Sequence, residues 1–231
     1  ADDEGGEFVS LDLDTLEETV VFTLPSGFDT YGGALAYRQG QNKFLVGAGN
    51  TLYDLLADGS VSTISSIPEF DDDYYYIKGL MNSPNSGEFW VVTNDSPDIY
   101  TVNVSNGSIV SSVTTSAIDI AQNPISGFQG MAEHPITGEV YVLFKDNSED
   151  RYIGRLNTSN GEIITVALTD SNYASIAFDA SGALYAKKGS DSQQMVTVNI
   201  NTAPETAFHT YTNTGGGDMD AIGFNTTDNL M

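Results

Sequence analysis

At 231 residues, with 8 basic against 32 acidic side chains and a formal charge of −24, the chain has no basic patch to release counterions from a nucleic-acid backbone. The same balance argues against an anionic membrane surface, and no apolar run approaches the roughly 18 residues of a spanning helix, so neither nucleic acid nor membrane insertion is expected. What the charge favours is cations, basic partners or a well-solvated surface, while a hydrophobic fraction of 40% is enough for a real core.

In chain order the sequence breaks into short apolar runs separated by turn residues. Residues 8–12 and 18–24 read as two strands, and 13–20 fits a strand–turn–strand better than a helix. Leu35 opens a unit: a turn at 39–42, an apolar strand at 44–46, a further strand at 52–56, the turn Asp58-Gly59 and a more polar strand. Leu80 opens the next, with its turn at 83–87, strands at 89–92 and 99–104, and Asn106-Gly107. Met131 opens the clearest one, spanning 128–164, with a turn at 134–138, strands at 140–144 and 152–156, and Asn160-Gly161. Ile176 and Ile222 open two more, the last ending at Met231. From Leu35 through Leu80, Met131 and Ile176 to Ile222 the steps are 45, 51, 45 and 46 residues.

Four short antiparallel strands per repeat, with turn signals at each reversal, is the pattern of a propeller blade. The expected fold is therefore all-β: one five-bladed β-propeller domain over 1–231, with blades at 31–70, 76–121, 127–170 and 173–214, and a last blade closed by both termini from 218–231 plus 7–25. Pairing both chain ends in one blade removes open strand edges and locks the ring. The second strand of that blade is short. It stands alone with 1–7 as the loop beyond it, or is completed by a neighbouring molecule, or belongs to a shortened chain. Ala1 in place of an initiator Met reads as a processed or excised chain. The absence of cysteine decides little about compartment, but abundant Asn, Ser and Thr with scarce Lys suits an extracellular or cell-surface protein.

Gly130-Met131-Ala132 with Pro135-Ile136-Thr137-Gly138-Glu139, and Gly79-Leu80 with Pro84-Asn85-Ser86-Gly87-Glu88, resemble generic β-propeller repeats of bacterial and archaeal secreted proteins. The resemblance covers nearly the whole chain and implies fold, not chemistry. Five-bladed relatives include tachylectin sugar binders and several glycosidase families. This chain departs from both: it has one tryptophan, Trp90, where their sites stack sugars on several, and it lacks the long inserted loops of the glycosidases.

Acidic residues collect in the loops between blades and after second strands. Asp73 and Tyr75, beside the 71–73 and 74–76 runs, and Asp218 and Asp220, before the fifth opening strand, are candidate ligand-binding residues. Asp146, Asn147, Glu149 and Asp150 offer oxygens to a calcium ion, without the spacing of a helix-loop-helix calcium loop. Sequons begin at Asn94, Asn103, Asn106, Asn157 and Asn225, which are candidate glycosylation positions. His134 and His209 lie on different blades, so a histidine metal site or a serine triad is not expected. The glycine run 215–217 lacks the Lys-Ser/Thr of a phosphate loop, and Trp90 reads as blade-to-blade core.

These observations favour a non-catalytic extracellular propeller with a structural, adhesive or self-assembling role, whose partners are other copies of itself or surface proteins. The alternatives are a lectin-like carbohydrate-binding module, with calcium, and a glycosidase-like enzyme using paired carboxylates. The acidity itself makes a prediction. Clustered carboxylates repel, so raising NaCl from low ionic strength should raise the melting temperature followed by circular dichroism; a flat or falling curve would show that the acids are already internally compensated.

Overall fold

The computed structural model describes residues 7–23, 33–38, 41, 43–56, 58–70, 76–117, 124–169, 172–189, 194–200, 205–210 and 221–223. Apart from one 3-10 turn at Pro68–Phe70, all regular structure among them is strand. β1 (Glu7–Leu11) and β2 (Glu18–Thr23) form a two-stranded sheet. Blade 1 holds β3 (Ala34–Arg38), β4 (Lys43–Ala48), β5 (Thr51–Leu56) and β6 (Val61–Ser66). Blade 2 holds β7 (Ile77–Asn82), β8 (Glu88–Thr93), β9 (Asp98–Asn103) and β10 (Ile109–Thr114). The two-residue β11 (Ser116–Ala117) follows. Blade 3 holds β12 (Ile125–Glu133), β13 (Val140–Asp146), β14 (Arg151–Leu156) and β15 (Glu162–Leu168), and blade 4 holds β16 (Tyr173–Phe178), β17 (Leu184–Lys188), β18 (Gln194–Val198) and β19 (Glu205–Thr210).

Each blade is an antiparallel meander in chain order, and β3, β7, β12 and β16 lie side by side as the inner strands of a β-propeller. A blade is covered on both faces by its neighbours, so its second strand is apolar along its length instead of alternating. β13 (VYVLFKD) buries every residue except Lys145. The outer strands have less to cover them and are correspondingly rich in Ser and Thr, as in β6 (VSTISS) and β10 (IVSSVT).

Two features differ from the repeat reading. Five four-stranded blades are expected, and the described residues form four. Outside these four blades the described residues contain the β1–β2 hairpin and residues 221–223, and the rest of 211–231, where the expected last blade would take its first strands, falls outside the described residues. The second difference is β11, which the repeat pattern does not contain. The chain leaving blade 2 pairs parallel with β15, matching Ser116 to Glu162, and covers the outer edge of blade 3.

The core is a series of clusters between successive units. Leu45 and Leu52 meet Leu80, Phe89 and Val91 between blades 1 and 2. Met81, Val92 and Ile99 meet Phe128, Met131 and Val142. Leu143 and Ile153 meet Ile176, Phe178 and Val196. Leu11 of β1 joins Ala177, Tyr185, Met195 and Ile222, while Phe8 and Phe22 of the hairpin join Phe44, Val46 and Leu55 of blade 1. The hairpin therefore sits between blade 4 and blade 1. Each large side chain buried in this way contributes about 1.5–3 kcal/mol.

Inner strands approach closely where each carries a small residue before its opening apolar one: Ala34, Gly79, Gly130, Ser175 and Ala221. A Cβ on Gly79 would lie 2.7 Å from Val92 Cγ2 and 2.9 Å from the Met131 backbone nitrogen. Gly79→Ala should therefore cost about 1–3 kcal/mol by overpacking, read as a lower urea midpoint. Gly87→Ala, at a turn with φ +82 and open space around it, should lose only the backbone contribution of about 1–2 kcal/mol.

Candidate functional site

The inner strands do not run smoothly into the end of the ring that carries the second-to-third-strand loops. In β7 the register slips between Ile77 and Gly79, in β12 between Phe128 and Gly130, and in β16 between Tyr173 and Ser175. The extra residues are Lys78, Gln129 and Ala174, at the same repeat position. A bulge turns its residue out of the regular pleat, and the flanking residues, Ile77 and Gly79, Phe128 and Gly130, Tyr173 and Ser175, are all buried between blades. Lys78 and Ala174 remain half-buried, at the inner edges that surround the axis. Gln129 is buried, at 9% exposure. β12 carries a second slip at Ser126, whose hydroxyl donates to the Asp146 carbonyl at 2.9 Å.

Around these positions stand two loops locked by their own side chains. Asn94 Oδ1 accepts the Tyr76 N–H at 2.6 Å and its Nδ2 donates to Asp95 at 2.9 Å. Ser96 shares a hydrogen bond of 2.8 Å with the Tyr100 hydroxyl and accepts the Asp98 N–H. In the second loop Asp146 is fully buried at the end of β13. Its Oδ1 accepts the N–H groups of Ser148 at 2.8 Å and Asp150 at 3.1 Å, and its Oδ2 accepts the Tyr152 hydroxyl at 3.3 Å. Burial, and then the Asp146 charge, push the Tyr152 hydroxyl above its ordinary value. Glu149 occupies the left-handed region at φ 65 and pairs with Lys145 at 3.2 Å. Arg151 donates to the Tyr173 carbonyl at 3.2 Å, tying blade 3 to blade 4, and burial pulls its guanidinium below the usual range. Lys187 is wholly buried, opposite Ser175 in register, and donates to the Gly189 carbonyl at 3.0 Å.

Of the sequence-derived candidates, Asp73, Tyr75, Asp218, Asp220 and Asn225 lie outside the described residues. Asp146, Asn147, Glu149 and Asp150 do share one loop, but Asp146 directs its oxygens at protein donors. No group of three or more His, Asp or Glu side chains stands ready for a metal among the described residues. Three of the five sequons have a turn explanation. Asn103, Asn106 and Asn157 each accept the N–H and the hydroxyl of the serine two residues on, with hydroxyl distances of 2.6, 2.9 and 2.7 Å. Asp58 does the same with Ser60 at 2.6 Å, where no sequon exists. The Asx-x-Ser spacing is thus hairpin chemistry, which generates sequons whenever the first residue is Asn. His134 is a turn residue: its Nδ1 accepts the N–H groups of Ile136 and Thr137, and its ring packs on Phe178. Trp90 packs against the cluster between blades 2 and 3.

Sequence reading did not single out Lys78 and Gln129. The available signal was positional: each precedes the small residue of an inner strand. By the same count the fifth unit places Asp220 at this position.

No protein-family model matches the chain, and no curated protein matches it in sequence. Solved structures share the fold. A structure of the nidogen/laminin complex matches with TM-score 0.54 at 12% identity, over 94% of this chain and 76% of that one. A GH43 glycoside hydrolase, engineered to show endo-xylanase and exo-arabinofuranosidase activity, matches with TM-score 0.52 at 13% identity, over 79% of this chain and 41% of that one. The chain spans 61% of the length of the Malassezia sympodialis allergen Mala s 1, which aligns over 74% of this chain with TM-score 0.47 and 16% identity. At these identities the likeness establishes a β-propeller and no activity.

The Asp146 loop yields a mutational prediction. Asp146→Ala leaves two N–H groups without their acceptor and should cost about 1–3 kcal/mol, measured by thermal unfolding, whereas Asp146→Asn keeps one acceptor oxygen and should lose less. A calcium-dependent rise in melting temperature that Asp146→Asn abolishes would assign this carboxylate an ion as well.

Proposed function

We infer that the chain is a non-catalytic, extracellular propeller that works by self-assembly at its perimeter. The carrying observation is the distribution of charge. In a chain of formal charge −24, the outer strands β2, β6, β10, β15 and β19 carry only three charged residues, Glu18, Glu162 and Glu205, each at a strand start. Val20, Val21, Val110, Ile164 and Leu168 are exposed on these strands. Natural sheet edges are usually blunted by lysine, proline or charge; β6, β10 and β19 each have a strand neighbour on one side only among the described residues. Two copies would repel through their acidic loops, but they meet without that cost at a neutral, Ser/Thr- and Val-bearing rim. The occupant this surface suits is a second copy of the chain.

A closed five-unit ring, with the last blade shared by both chain ends, is part of the same reading. Support comes from a recurring contact. The turn glycine of blade 2, Gly107, abuts the Ser66 carbonyl of β6, and Gly161 of blade 3 abuts the Thr114 carbonyl of β10. Gly59 of blade 1 abuts β2 at the Phe22 side chain instead of at a carbonyl, which supports reading β2 as an outer strand. At the inside, the Ile222 N–H points to Ser175 Oγ of β16 at 3.4 Å, and a Cβ on Gly223 would lie 3.0 Å from Leu35 of β3. Residues 221–223 thus bridge the inner strands of blades 4 and 1.

Light scattering after size exclusion tests the reading. Species above monomer mass should grow with protein concentration and with salt, which screens the acidic loops. Val110→Lys and Leu168→Lys should abolish them, while Ile136→Lys, on an exposed turn away from the rim, should not. A monomer under every condition would overturn self-assembly, and a hydrolase activity lost on Asp218→Asn would overturn the non-catalytic assignment.

A further inference from the structure

The chain arriving from the previous blade treats the outer edges of blades 2 and 3 differently. At blade 3 the turn glycine Gly161 lies against the Thr114 carbonyl, and two residues further on the Ser116 N–H donates to the Gly161 carbonyl at 3.0 Å. That bond starts β11, which pairs parallel with β15 and gives blade 3 a fifth strand. At blade 2 the turn glycine Gly107 lies against the Ser66 carbonyl, but two residues further on stands Pro68. Proline has no N–H to donate. The chain turns inward through Pro68–Phe70, and Phe70 is buried against Tyr100 at a ring separation of 4.9 Å. Among the described residues the Gly107 carbonyl accepts no hydrogen bond, and β10 has a strand neighbour on one side only.

The ladder fixes which backbone groups face outward. The Thr115 N–H donates to the Pro97 carbonyl at 3.0 Å, one step beyond the Thr114–Asp98 pair. Hydrogen-bonded and non-hydrogen-bonded pairs alternate in an antiparallel ladder, so Ser111 and Val113 bond to β9 while the N–H and C=O groups of Ser112 and Thr114 face away from it. We propose that this edge of β10 pairs antiparallel with β10 of a second copy about a two-fold axis, as the backbone part of the rim contact. The inference rests on the self-assembly reading and adds its joint. Any approaching strand enters the field of a chain of charge −24. β10 carries no charged residue, and a two-fold contact sets that same uncharged edge on both sides. β6 is also uncharged, but residues 24–32, which follow β2, lie outside the described residues; at β10 the passing chain is described and leaves the edge open. The bulge at Val110 confines regular pairing to 111–114, so the association is weak and grows with protein concentration.

Amide hydrogen exchange of the full chain labelled with nitrogen-15 tests the joint, alongside light scattering. Where scattering shows species above monomer mass, the Ser112 amide should exchange about tenfold or more slowly than in dilute monomer, and the Thr63 amide of β6 should not change. Ser112→Pro removes an outward N–H and leaves the bonds to β9 in place, so it should return the chain to monomer mass. If Ser112→Pro does not fold, Ser112→Asp decides: it sets two carboxylates near each other at the two-fold axis and should also give a monomer, while Thr63→Asp should not. Oligomers that persist in the Ser112 variants but are lost in Val110→Lys and Leu168→Lys overturn the β10 joint and leave the rim reading standing. So does a Ser112 amide whose exchange is unchanged in the assembled chain. A monomer at every concentration overturns both, and leaves the edge to a strand of another protein or to none.

Discussion

The close approach of the inner strands is the constraint on which the rest of this structure depends. Several blades can meet around one axis only if the residue at the crossing is small, and Ala34, Gly79, Gly130, Ser175 and Ala221 satisfy that at every repeat. At Gly79 and Gly130 the neighbouring chain passes near enough that a Cβ would be in conflict or very tight. This closeness sets the next strand of each blade against its neighbour on both faces, which is why β4, β8, β13 and β17 are nearly continuous apolar runs.

Burial on both faces has a consequence for charge. Ionised groups are excluded from the space between blades unless paired, and the outer strands carry few of them, so the acids gather in the turns and loops. There, several serve the backbone. Asp12 accepts the N–H groups of Asp14 and Thr15, and Asp58 accepts the N–H and hydroxyl of Ser60. Hydrogen bonds from Thr15 and Asp14 hold Asp12 below the ordinary carboxylate range, as the Ser60 hydroxyl and N–H do for Asp58. A depressed folded-state value stabilises the native turn above the ordinary carboxylate pKa of about 4 and ceases to do so as the pH falls through the folded value. Part of the acidity is thus turn chemistry, and its abundance does not by itself mark a site.

The positions left over are those where the blade does not need a side chain for packing. On the inner strands, three bulges carry Lys78, Gln129 and Ala174; Lys78 and Ala174 are half-buried, while Gln129 and the flanking residues are buried. At the rim, the outer strands combine exposed valines with an almost uncharged surface. Variation inside the repeat frame is concentrated at such places because neither packing nor hydrogen-bond register dictates the residue.

The repeat spacing, the hairpin turns and the apolar second strands could all be read from the amino-acid sequence, because each depends on contacts within about 45 residues and on local turn preferences. The pairing of 7–11 with 18–23 was legible for the same reason. Other features depend on neighbours far apart in the chain. The parallel strand at Ser116–Ala117 exists because blade 3 offers an open outer edge. The role of Asp146 as a buried acceptor requires its loop to fold back onto Ser148 and Asp150. The bulges at Lys78, Gln129 and Ala174 are slips between paired strands, and a single strand contains no register to slip. Composition and period determined a propeller built from hairpins; only the tertiary structure decided which side chains the blades bury and where the inner strands slip in register, because that choice is made by the backbone of the adjacent strand.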